Sequence, residues 1–144
     1  MSEVHAEQAS PAHAEVAFGF LRDLGFELVE RRVTGGNSSR DGWRLLYKGP
    51  SVHVTIQFMD SQLEIHFARG DVTAEYLFID RGLFGWRSRM GGNMFPPQKL
   101  APIVDRFATD IRDNYGSILD GDDQVWARIK QLRERPPAKE RKLP

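Results

Sequence analysis

Hydrophobic and polar positions alternate from Ser51 to Arg69. Val52, Val54, Ile56 and Phe58 precede the polar break Met59–Asp60–Ser61–Gln62, and Leu63, Ile65 and Phe67 follow it. Period two on both sides of a short break predicts an antiparallel hairpin with one buried face. A two-residue loop at Asp60–Ser61 sets Phe58 opposite Leu63, Ile56 opposite Ile65 and Val54 opposite Phe67. A slip of one residue would turn the apolar set to solvent, so the pattern fixes the register.

The rest of the chain is read around this hairpin. Ser10 before Pro11 is a helix start, a capping hydroxyl followed by proline at the first position. Ala14, Ala17, Phe18, Leu21 and Leu24 then follow a three-and-four spacing that predicts a helix closed by Gly25. Phe26 to Val33 and Trp43 to Lys48 read as strands on either side of a polar loop, Thr34 to Ser39; Trp43, Leu45 and Tyr47 share one side. Val72 to Ile79 reads as a fifth strand, with Ala74–Glu75–Tyr76–Leu77 also compatible with helix. Arg81 to Gln98 has no period, four glycines and a proline pair, which predicts irregular structure of a length that is functional or mobile. Leu100, Ile103, Val104, Phe107, Ala108 and Ile111 mark a helix ending near Tyr115–Gly116. A last helix carries Val125, Trp126, Ile129 and Leu132 on one face; Asp120–Gly121–Asp122 caps it and Pro136–Pro137 stops it.

The expected fold is therefore α+β: an antiparallel four- or five-stranded meander with an N-terminal helix and two C-terminal helices packed on one face. The expected organisation is a disordered leader over residues 1–9, a single domain over 10–135 and a charged flexible tail over 136–144. At 144 residues the chain is long enough for one sizeable core. Twenty basic and twenty acidic residues give a formal net charge of zero, which argues against a global field for nucleic acid or membrane. The charge is uneven, since Arg128 to Pro144 holds seven basic and two acidic residues. With no cysteine, disulfides, thiolate metal sites and cysteine nucleophiles are excluded. The acidic N-terminus lacks the form of a signal peptide, and no apolar run reaches the ~18 residues of a membrane span. A cytoplasmic location is expected.

Candidate chemistry is sparse. The hairpin register makes His53 and His66 diagonal neighbours on its polar face, with Glu64 and Gln57 beside them, an arrangement that could serve a metal or acid/base site. No third spaced ligand accompanies them, and polar side chains are ordinary on that face. Asp120, Asp122 and Asp123 lack the ligand alternation of a calcium loop and fit a helix cap. Gly35–Gly36 and Gly91–Gly92–Asn93 match no phosphate-binding glycine pattern, and no serine sits in a nucleophile elbow. No cofactor is expected, and the pattern points away from an enzyme. The stretch from Leu83 to Phe95 carries more. Leu83, Phe84, Trp86, Met90, Met94 and Phe95 are large and apolar without a period to bury them, and Arg87 and Arg89 lie among them. These residue types are enriched at protein contact cores. The alternative is that the stretch folds back as a plug, with Phe84 and Phe95 inward and Trp86 and the arginines outward.

The stretches FLRDLGFELVE (Phe20 to Glu30), GWRLLYKGPSVHVTIQF (Gly42 to Phe58), QLEIHFARG (Gln62 to Gly70) and DNYGSILDGDDQVWARIKQLRE (Asp113 to Glu134) resemble a set of small uncharacterised bacterial α+β proteins. The resemblance lies in architecture, and it implies kinship with immunity partners of secreted toxins. The sequence is thus read as a non-enzymatic protein-binding module that uses residues 83–95 and the polar sheet face, with a bacterial toxin as the partner that the resemblance implies. Two alternatives stand beside it: an enzyme using His53, His66 and Glu64, and a nucleic-acid-associated protein using the basic tail.

Overall fold

The structure, a computed structural model, describes residues 10–34, 42–85, 92, 94–96 and 99–134. The meander is complete: β1 (Glu27–Thr34), β2 (Gly42–Lys48), β3 (His53–Met59), β4 (Gln62–Arg69) and β5 (Val72–Glu75) form one antiparallel sheet in chain order. The β3–β4 register pairs Phe58 with Leu63, Ile56 with Ile65 and Val54 with Phe67, as the alternation requires. Asp60 and Ser61 turn the hairpin with φ of 55° and 67°. Positive φ at both central positions is the geometry whose twist matches the flanking strands.

Along the other strands the same alternation sends Trp43, Leu45, Tyr47 and Ala74 to the side occupied by Val54, Ile56, Phe58, Leu63, Ile65 and Phe67, and all are buried. β1 departs from strict alternation. The register shifts between Leu28 and Glu30, leaving Val29 as the extra residue of a bulge.

The helices cover this apolar side. Before the sheet lie α1 (Pro11–Ala17) and α2 (Phe20–Asp23); after it come α3 (Tyr76–Leu83), α4 (Leu100–Asn114), α5 (Gly116–Leu119) and α6 (Asp123–Glu134). Ala14, Phe18 and Leu21 join Val104, Phe107, Ile111, Tyr115, Trp126 and Ile129 in the one buried cluster that includes the inner strand residues. Ser10 caps α1 by accepting from the His13 N–H at 3.1 Å. Asp122 caps α6 by accepting from the N–H groups of Gln124 and Val125. The Trp126 indole N–H donates to the Ile118 carbonyl at 2.9 Å, so its polar atom is satisfied inside the core.

Three sequence expectations need correction. The first helix is not continuous to Leu24. It stops at Phe18, and i→i+3 bonds such as Leu21 N–H to Phe18 O (3.0 Å) tighten the chain around Gly19, a poor helix former. Closure at Gly25 holds: φ is 93°, the Gly25 N–H bonds to Arg22 O, and the Phe26 N–H bonds to Leu21 O, the two bonds of a Schellman end. The second correction is to the fifth strand, which ends at Glu75 rather than running to Ile79. The Glu75 carboxylate accepts from the Leu77 N–H at 3.0 Å and starts α3, whose Tyr76, Ile79, Asp80 and Leu83 follow helical spacing. Third, irregular structure therefore begins after Leu83 rather than at Arg81. No described helix is long and apolar enough to cross a membrane.

Candidate functional site

Because every helix lies on one side, the sheet's other side is open among the described residues. The register arranges that open side in rows across the strands. One row runs Arg32, Arg44, Gln57, Glu64; the next runs Glu30, Leu46, Thr55, His66, Glu75; a third runs Glu27, Lys48, His53, Ala68, Thr73. Directly opposite residues stand ~5 Å apart, so each row is a line of touching side chains.

The centre of this face is a connected polar group. Glu64 Oε1 accepts from the Gln57 amide at 3.2 Å and lies 3.0 Å from His66 Nε2. With its proton on Nε2, His66 donates to the carboxylate, which fixes the ring against the sheet. Glu75 sits across from His66, and burial holds its carboxyl above the ordinary value of 4.5; nearby Glu64 pushes the same way. The backbone N–H of Leu77 and the neighbouring His66 act against that rise. Glu64 is 27% exposed and His66 39%, half-buried without a helix above them.

Charge is distributed unevenly over the face. On the β1–β2 side, Glu30 pairs with Arg32 at 2.7 Å and stands 4.0 Å from Arg44. The Arg44 Nε is buried and has no hydrogen-bond partner. On the β4–β5 side the charged groups in these rows are Glu64 and Glu75.

The sequence-predicted residues are distributed as follows. His66 and Glu64 meet; His53 stands in the third row opposite Ala68, exposed. Among the described residues, no group of three or more histidine, aspartate or glutamate side chains is placed to hold a metal ion. Asp122 is used as a cap and Asp123 pairs with Arg69. In the 83–95 stretch, Leu83, Phe84 and Phe95 are packed against the core, Phe84 on Tyr115 at 5.0 Å between ring centres and Phe95 on Phe107 at 6.2 Å. Met94 is 60% exposed and forms a β-bridge with Gln62, while the Phe95 N–H donates to Ser61 O at 2.8 Å. The stretch thus returns to the sheet beside the β3–β4 turn. Trp86, Arg87, Arg89 and Met90 lie outside the described residues, as do the leader at 1–9 and the charged tail at 136–144.

Sequence reasoning missed Glu75 and Arg44 as members of the face. The signal for Arg44 was present in the alternation of Trp43–Lys48; Glu75 was hidden by the strand-to-helix switch beside it. A second concavity, a cleft of about 450 Å³ beside α1, is lined by Ala12, Glu15, Val16, Gly19, Arg22 and Arg31. Its Glu15 and Arg31 are already joined at 2.6 Å. No protein-family model, no curated protein sequence and no solved structure matches this chain.

Proposed function

We propose that this chain is a non-enzymatic protein-binding module whose partner seats on the open face of the sheet and reaches the border marked by Met94. The observation that carries the reading is the centre of that face: Gln57, Glu64, His66 and Glu75 are half-buried with no described helix over them. Exposed Arg32, Lys48 and His53 stand around it. Ordered polar and charged side chains on an unroofed sheet face offer a partner fixed groups to complement. Glu64, already ordered by Gln57 and His66, would lose little further freedom on docking.

The narrower form of the proposal is an immunity protein that acts in the bacterial cytoplasm by covering a toxin's surface. It is supported by the resemblance carried by residues 20–30, 42–58, 62–70 and 113–134. In that role no bond is made or broken by this chain, and the residues 83–95 would extend the contact past the sheet.

Affinity capture from the host, with wild type, Gln57→Arg and Trp86→Ala/Arg89→Ala as parallel baits, tests this reading. One stoichiometric partner, held by wild type and weakened about tenfold or more by Gln57→Arg, is the expected result. Equal capture by wild type and Gln57→Arg would remove the sheet face from the site. Loss from the double variant alone would move the site to residues 83–95.

A further inference from the structure

We infer that the open face of the sheet is occupied by a second copy of this chain, in a face-to-face dimer whose two-fold axis runs parallel to the strands over β3. The inference rests on the reading of this face as a docking surface and assigns it a second copy of the chain in place of a toxin.

Charge complementarity carries the argument. The row Arg32, Arg44, Gln57, Glu64 passes from cationic at β1–β2, through a neutral amide on the central strand, to anionic at β4. An axis parallel to the strands over β3 keeps each row at its own height and exchanges the two sides of the sheet. Arg44 of one copy then stands over Glu64 of the other, and the pair occurs twice because a two-fold interface is isologous. Gln57 meets its own copy on the axis, where an amide can both donate and accept.

In the next row Leu46 covers His66 and Thr55 meets Thr55; in the third, Lys48 covers Ala68, Glu27 covers Thr73 and His53 meets His53. Glu30 falls over Glu75, a like-charge meeting offset by Arg32 and Arg44 beside Glu30. The other face-to-face axis, perpendicular to the strands, stacks each strand on its own copy. It sets the arginine side over the arginine side, and charge disfavours it.

Geometry allows the approach. Two sheets pack face to face at ~10 Å with strands within about 30° of each other, a spacing that side chains of this size fill. Four strands of seven or eight residues and the four-residue β5, at ~4.8 Å spacing and ~3.3 Å per residue, offer on the order of 500 Å² in projection, which side-chain relief brings toward the ~800 Å² per partner of a standard interface. Met94, bridged to Gln62 and exposed, stays at the border of the dimer.

The test is the mass of the full chain in solution, by sedimentation equilibrium over a concentration series, for wild type, Arg44→Glu, Glu64→Arg and the double exchange. Circular dichroism checks that each variant is folded. Wild type is expected to dimerise; each single exchange weakens the dimer about tenfold or more by setting like charges together twice, and the double exchange restores it to within a few fold. A wild type that is monomeric at every concentration overturns the dimer and leaves the protein-binding reading to the capture experiment. A dimer indifferent to both single exchanges, or one not restored by the double exchange, also overturns it.

Discussion

The two faces of one sheet follow opposite rules. On the covered face, Trp43, Leu45, Tyr47, Ile56, Leu63, Ile65 and Phe67 are almost wholly buried beneath helices, and each contributes through the area it removes from water. On the open face, most residues one position away along the same strands are polar, and Gln57, Glu64 and His66 among them are half-buried and joined by hydrogen bonds. The strands therefore present two surfaces at once, buried core at odd positions of β2 such as Leu45 and Tyr47 and the open face at even ones such as Arg44 and Lys48. The difference teaches where to look for function: positions whose identity the core does not dictate.

Substitutions that separate the two faces should show this contrast first. Phe67→Ala, which empties a buried site beside Tyr115, is expected to destabilise by about 3–5 kcal/mol in urea unfolding. Gln57→Ala on the opposite face should stay within about 0.5 kcal/mol. Comparable losses from both would erase the distinction.

A smaller effect is expected where the sheet's backbones crowd. At Gly42 a Cβ would stand 2.3 Å from the Phe58 carbonyl oxygen, on the neighbouring strand. Gly42→Ala forces β2 and β3 apart at that end and should cost about 1–3 kcal/mol. An unchanged unfolding midpoint would show that the strand end yields freely.

Smallest is the contribution of Glu75, whose effect depends on pH. Its carboxyl titrates above the ordinary 4.5 in the folded chain, so between that value and its own the folded state holds more protons than the unfolded one. Stability from this group therefore falls as pH rises through the window, and its cost is complete above it. Glu75→Gln, which can still accept from the Leu77 N–H, is expected to be more stable than wild type at pH 7 and to lose that advantage below pH 4.5. Paired unfolding curves at the two pH values give the sign, and a larger advantage at the lower pH would contradict the assignment.

What the sequence disclosed follows the physical reach of each signal. The β3–β4 register was legible because Val54, Ile56, Phe58, Leu63, Ile65 and Phe67 leave no second pairing that keeps them all dry. The caps at Ser10 and Asp122 were legible because capping is local. The bulge at Val29 was not, since ELVERRV lacks alternation and the partner strand decides which residue is extra. The turn of the chain into α3 was not, because Tyr76–Leu83 suits strand or helix until Glu75 caps it. On the open face, His66 and Glu64 share a side by simple period two. Their alignment with Arg44 depends on which strands are neighbours, and that is a tertiary fact. For residues 83–95, composition announced large apolar side chains and left contact surface and plug both open; the fold packs Leu83, Phe84 and Phe95 against the core, Phe84 and Phe95 as the plug reading had them, while Met94 stands out.

The sheet's strand order, β1-β2-β3-β4-β5, is also the order in which a ribosome delivers the strands. Each hairpin can close when its second strand emerges, with no distant segment to wait for. The helices α4 and α6, which shield much of the apolar face, arrive only with residues 100–134. A nascent chain that has just completed the sheet therefore presents Tyr47, Ile56 and Phe67 as part of a broad greasy plate, a natural substrate for chaperones. Premature termination between Glu75 and Leu100 would leave that plate without the helices that cover it, and the product is expected to aggregate rather than persist as a smaller folded protein.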